Sequence, residues 1–334
     1  MVAFLRRLAG HLVRGVVMIW IVTTFTFVLI RLMPGDPVQT QYEKLLSQGV
    51  SPDQARAQVQ VTYGFVPHGS WLSQYGDYLW KLLHLDLGTS VSAQGVSVTT
   101  EVMGALKWTV GLVLAGTLLS FVIGVLLGVV AAMRREGHVG SVLSLLGSLL
   151  HGIPQYVMAL VLVTFLTVKV KAFSTGPVDG LLDPGFNGPY LASIVSHAVL
   201  PAVAFALSSF GGYLLTMKSS VVSVLGDDFI LASELRGIKP SIVFRYVARN
   251  ALLPLFTVLA LSLGFMIGGA VFIEHAFNYS GMGAMLIDSI GNRDYSEMSG
   301  AFLLITVAVI LANIAADLLY SVVDPRVRRE GAGA

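Results

Sequence analysis

Ser148, His151 and Gln155 lie in the stretch "GSLLHGIPQ", three and then four residues apart. In a helix that spacing sets them on one face. A serine beside a histidine begins a nucleophilic hydrolase, but the reaction also needs an orienting third group and oxyanion donors, and neither motif accompanies this pair. Polar groups facing a packed interior or a water-filled path are the favoured reading. Asp317, with Asn313 one turn earlier, is the one acid well inside an apolar run. Such a carboxylate either couples proton movement or accepts a structural hydrogen bond. Its nearness to "DPRVRR", about two turns on, favours the second role. The seven histidines are scattered, there is no cysteine, and neither a Gly-Lys-Ser/Thr phosphate loop nor a His-Glu-x-x-His pair occurs. No metal, bound cofactor or catalytic centre is expected, and any ATP and Mg chemistry must reside in a partner.

What positions these groups is a chain built for lipid. Apolar residues make up 55% of it and charged residues only 12%, about half the share usual in a soluble domain. Apolar runs close to the length that crosses a bilayer recur at roughly 12–32, 108–132, 139–168, 197–217, 253–273 and 299–322. The first is too long, and too poor in small residues at a cleavage site, for a removable signal peptide. With both ends inside, segments 1–14, 133–138, 218–252 and 323–334 hold thirteen of the twenty-one Lys and Arg. The outside segments hold twelve of the nineteen acids, among them Asp36, Asp77, Asp86, Asp179, Asp183 and Glu274. The positive-inside rule therefore predicts an all-α polytopic membrane protein with six spans and both termini cytoplasmic.

The second run carries Gly116, Ser120, Gly124 and Gly128 at every fourth position. That small-residue stripe predicts close helix packing, within the subunit or across a dimer. A related stripe in the third run joins Gly140, Ser144 and Gly147 to Ser148, His151 and Gln155, with Pro154 able to open the helix. Outside, segment 33–106 begins at "RLMPGDP" and contains "SPDQARAQVQ", where Ser51 suits an N-cap and Pro52 the first helical position. It either docks a soluble partner or caps the spans.

The cytoplasmic segment 218–252 is the unusual one. Within "LASELRGIKPSIVFRYVARNALLP" four cations, Arg236, Lys239, Arg245 and Arg249, interrupt the apolar pattern. Asp227 or Asp228 can cap a helix that closes at Gly237, a natural left-handed terminus. Pro240 then starts a second helix, in which Ile242 and Tyr246, Val243 and Val247, and Arg245 and Arg249 pair at four-residue spacing. The predicted elbow turns up into the fifth span at Pro254. Basic residues of this kind suit lipid headgroups, a cytoplasmic protein groove or, in another setting, DNA. Spans at both ends leave no separate DNA-binding domain, so no nucleic acid partner is expected.

"DDFILASELRG" followed by "ARNALLP" resembles the EAA loop of ABC-transporter permeases. "FLRRL", "RLMPGDP", "HLDLGTS", "GIPQYVMALVLV", "VFIEHAFNYSGMG" and "DPRVR" resemble, in that order, the first or B-type permease of the dipeptide, oligopeptide and nickel importers. The likeness covers nearly the whole chain. Leu231 and Glu234 stand where that family often has basic residues, Phe229 where it has tyrosine, Ser280 where it has proline and Lys218 where it has arginine.

The resemblance implies a single transmembrane permease domain, 1–334, with the type I ABC importer fold, in a bacterial inner membrane. It implies a second homologous permease, one or two ATP-binding subunits and an extracytoplasmic substrate-binding protein over 33–106 and 276–298. Coupling falls to Asp228, Ala232, Ser233, Glu234, Arg236, Gly237 and Lys239, and the path for the solute to Ser148, His151 and Gln155. A proton-coupled carrier would instead require an internal repeat and several ionisable residues at mid-membrane, and only Asp317 is present. A membrane scaffold that transports nothing would share the span pattern.

Overall fold

A computed structural model of the chain describes residues 2–32, 37–63, 70–90, 93, 96–176 and 182–323. "RLMPGDP" after Leu32, Asp179, the Asp317 side chain and the terminal "DPRVRR" lie outside what is described. The rest is helical: α1 (Val2–Leu32), α2 (Pro37–Ser47), α3 (Pro52–Tyr63), α4 (Trp71–Leu83), α5 (Val98–Met133), α6 (His138–His151), α7 (Gln155–Leu162), a π-helical turn Val163–Lys169, α8 (Gly188–Leu225), α9 (Asp228–Leu235), α10 (Pro240–Phe277), α11 (Met282–Asn292) and α12 (Tyr295–Val323). Among the described residues the one β pairing is a single bridge between Thr89 and Ser97.

Four helices, α5, α8, α10 and α12, are long and apolar enough to cross a bilayer. The third apolar run is not one straight span. It breaks after His151, and α6 meets the segment beginning at Gln155 at 98°; counted as one span, the bent pair makes a fifth. Pro154 sits at that corner because it cannot donate to the preceding turn. The fifth run also departs from expectation. The helix begun at Pro240 and the following apolar stretch are one continuous rod, with Pro254 inside it. Lipid-embedded helices tolerate proline where neighbouring groups satisfy the freed carbonyl.

The chain forms two compact units. In the first, residues 1–109 and 280–308, Tyr42 and Leu45 of α2 and Ala55 and Val59 of α3 pack on Leu286, Tyr295, Met298 and Ala301. Ser51 caps α3 as its sequence predicts, its hydroxyl accepting the Gln54 N–H at 3.4 Å. Asp294, almost fully buried, caps α12 by accepting the Glu297 N–H at 3.2 Å and also accepts the Ser90 hydroxyl at 2.9 Å. Thr109 accepts the Met282 N–H at 2.8 Å, which fixes the start of α11. Segment 33–106 and the loop after α10 thus share one core.

The second unit holds residues 110–279 and 309–334. Its centre is α8, which receives the glycine stripe of α5. A β-carbon on Gly116 would fall 2.8 Å from Phe205, one on Gly124 2.5 Å from the Tyr213 β-carbon, and one on Gly128 2.6 Å from that of Met217. The stripe therefore serves packing inside the subunit. Glu274, an outside acid by sequence, is fully buried at the far end of α10. Burial first, and the Glu274 carboxylate second, push the Tyr279 phenol up to about 12.

Candidate functional site: the elbow between α8 and α10

Asp227 occupies the N-cap of α9 in extended conformation, but its side chain makes no capping hydrogen bond. Asp228 follows in the first turn, where a carboxylate still opposes the positive helix end. The other terminus is built as expected. Gly237 has φ +67°, a conformation that side chains disfavour and glycine adopts freely. Its N–H donates to the Glu234 carbonyl at 2.9 Å, and the Ile238 N–H donates to the Ser233 carbonyl at 3.1 Å. These two bonds make a Schellman cap, which fixes the exit of the chain toward Lys239 and Pro240.

The elbow is attached firmly to the rods behind it. Ile230 is 2% exposed and packs with Met217 and Val221 of α8 and Val243, Val247, Ala251 and Leu255 of α10. Of the two apolar pairs on the second helix, Val243 and Val247 turn inward, while Ile242 and Tyr246 stay exposed. Ser233 is buried and donates to the Phe229 carbonyl at 2.7 Å. Its neighbour Ala232 faces outward. Ala232 is thus open to approach, while Ser233 is largely packed and shows only an edge to the surface. Truncating Ile230 to alanine should cost about 2–5 kcal/mol by cavity formation. Protease should then cut near residues 236–239 in membranes of that variant and spare the parent.

Outward, Phe229, Ala232, Ser233 and Arg236 of the first limb and Tyr246 and Asn250 of the second line a cavity of about 380 Å³. Leu231 and Leu235 stand beside it, strongly exposed. Glu234, Arg236 and Lys239 are exposed and form no ion pair among the described residues. Sequence reading named Ala232, Ser233 and Arg236 but missed Tyr246 and Asn250 as lining. Their four-residue spacing and the Asn250 amide's bond to the Tyr246 carbonyl at 2.9 Å place them on one face. The cavity combines polar and apolar walls beside exposed charges, suited to a protein surface of matching shape.

The other named residues lie together at the corner of the broken third run. Ser148 and His151 are both exposed, and no hydrogen bond joins them, so the nucleophile reading falls. The His151 imidazole lies against Gly212, and the Gln155 amide donates to the Ser209 hydroxyl at 3.5 Å. About two turns further along α8, Lys218 donates to Ser144 at 2.7 Å. The partners Ser209, Gly211, Gly212 and Lys218 were missed, although "SSFGGY" concentrates small residues on α8.

A family model described as "Binding-protein-dependent transport system inner membrane component" matches residues 124–329. The oligopeptide transport system permease protein AppB of Bacillus subtilis is 30% identical over 92% of this chain and 94% of its own. The dipeptide transport system permease protein DppB of Escherichia coli K12 is 29% identical over the same shares. A putative peptide permease of Brucella ovis is 31% identical over 97% of this chain and 99% of its own. Among solved structures, an amino acid ABC transporter crystallised with histidines covers 68% of this chain and 94% of its own, at 16% identity and a TM-score of 0.47. The matched region contains the elbow and every residue that shapes it, and the chain belongs to the inner-membrane permease components of binding-protein-dependent ABC transport systems.

Proposed function

We propose that this chain is one half of the translocation path of an ABC importer for peptides or a related small solute, with six spans and both termini cytoplasmic. A second homologous permease completes the path, and two ATP-binding subunits lie on the cytoplasmic side. The elbow of α9 and the start of α10 seats in one of them. Asp228, Ala232, Glu234, Arg236 and Lys239 face that subunit, while Gly237 and Ser233 hold the elbow's shape. A substrate-binding protein docks on the unit made by segment 33–106 and the loop 276–298. Ser148, His151 and Gln155 line the path where the third run breaks.

One observation carries this reading. An exposed apolar surface with uncommitted charges is locked by Ile230 to both α8 and α10. A partner that moves the elbow therefore moves two membrane rods, and it favours one state only through contacts that differ between states.

The chain has no cysteine, so Arg236→Cys supplies a single reactive position. In membranes holding the assembled transporter, a cytoplasmic cross-linker should join that cysteine to an ATP-binding subunit, with a yield that nucleotide alters. Adducts confined to lipid-borne reagents would make the elbow an interfacial helix and remove it from coupling.

A further inference from the structure

We propose that α4 is an interfacial anchor, lying along the outer leaflet with the stripe Leu72, Gly76, Trp80 and Leu83 in lipid. The inference rests on the span topology proposed above, in which α1 runs from the cytoplasm outward. Three faces of α4 have different surroundings. Gln74, Tyr75 and Tyr78 turn inward. Tyr75 shares a hydrogen bond with Thr24 at 2.5 Å, and the Phe27 ring lies 5.3 Å from that of Tyr75 and 5.5 Å from that of Tyr78. Burial pushes the Tyr78 phenol up to about 12.

The second face is the stripe, at positions i, i+4, i+8 and i+11. Leu72 is 80% exposed, Leu83 79% and Trp80 65%, with no charge among them. The third face carries Ser73 and Asp77, also exposed. A helix with packed, bare apolar and polar sides in turn matches the interface between headgroups and acyl chains, where tryptophan concentrates.

Depth decides what covers the stripe. Thr24 and Phe27 lie eight and five residues before Leu32, the end of α1, or about 12 and 7 Å along the helix axis. A helix pinned there sits level with the outer acyl boundary, which interfacial helices enter by about 5–10 Å. At the same level along α1, Phe25 and Leu29 are also exposed apolar side chains. The occupant is therefore lipid, and the receptor meets other parts of this unit.

The test places single cysteines at Leu72, Trp80, Leu83 and Asp77 of α4, and at Phe25 of α1 as a depth control. Each carries an environment-sensitive fluorophore in the assembled transporter, reconstituted in phosphatidylcholine–phosphatidylglycerol vesicles. Phosphatidylcholine bearing a nitroxide near the headgroup should remove about half the emission at 72, 80 and 83, and iodide in water should do so only at 77. Quenching by lipid at Phe25 but by iodide alone at 72, 80 and 83 would overturn the inference and leave the topology standing. Protection at those positions that appears only with the substrate-binding protein would make the stripe a receptor surface, which also overturns it. No lipid quenching at Phe25 would remove α1 as a span, and the topology and this inference would fall together.

Discussion

Replacing Gly237 with proline should lower ATP-driven uptake about a hundredfold while the chain still accumulates in the membrane. The native φ of +67° is closed to a ring that fixes φ near −65°. The substitution also deletes the N–H that donates to Glu234. A misfit of this kind costs about 3 kcal/mol or more, equivalent to roughly two powers of ten in the population of the native corner. The damage is local, because Ile230 and Val243 on either side keep their packing in the apolar cluster. Gly237→Asn is the control, since asparagine enters the left-handed region more readily than other side chains. Uptake of a labelled peptide, read beside membrane abundance and ATPase rate, separates loss of coupling from loss of the protein. Full uptake in the proline variant would remove the elbow from the coupling path.

The second large effect belongs to the crossing of α6 and α8. A β-carbon on Gly211 would run into the Gly147 carbonyl and lie 2.9 Å from the His151 β-carbon. A β-carbon on Gly147 meets nothing nearer than the Leu214 methyls at 3.4 Å, an ordinary contact. Gly211→Ala should therefore cost about 3 kcal/mol or more, and Gly147→Ala less than about 1 kcal/mol, although the two glycines face each other. Thermal aggregation of the purified variants in detergent measures the difference. Equal stabilities would show that the helices slide apart at little cost and that the close approach is dispensable.

These two glycines also show where sequence reading stops. Gly237 is legible because its task is local: a left-handed cap needs only its own backbone and the few residues before it. Pro240 is legible for the same reason. The stripes on α5 and α6 announce close packing, but the residues they meet lie up to 89 positions away, as Gly116 does from Phe205. Only the folded chain pairs them. The second helix of the elbow offered Ile242 with Tyr246 and Val243 with Val247 at the same spacing, one residue out of phase. Periodicity cannot choose between such sets, and packing on Met217 and Val221 does. The two prolines reverse each other's lesson. Pro154 stands at a corner between two helices and Pro254 inside a continuous one, a difference that residue type alone does not signal.

The contact between Gly211 and Gly147 divides α8 unequally. Fourteen residues separate Gly211 from Leu225, and twenty-three separate it from Gly188. At 1.5 Å per residue the arms are about 21 and 35 Å. A rod that rocks about such a fulcrum is geared: its Gly188 tip sweeps about 1.6 times the arc of its Leu225 tip. Small strokes delivered at the short arm would arrive at the long one enlarged.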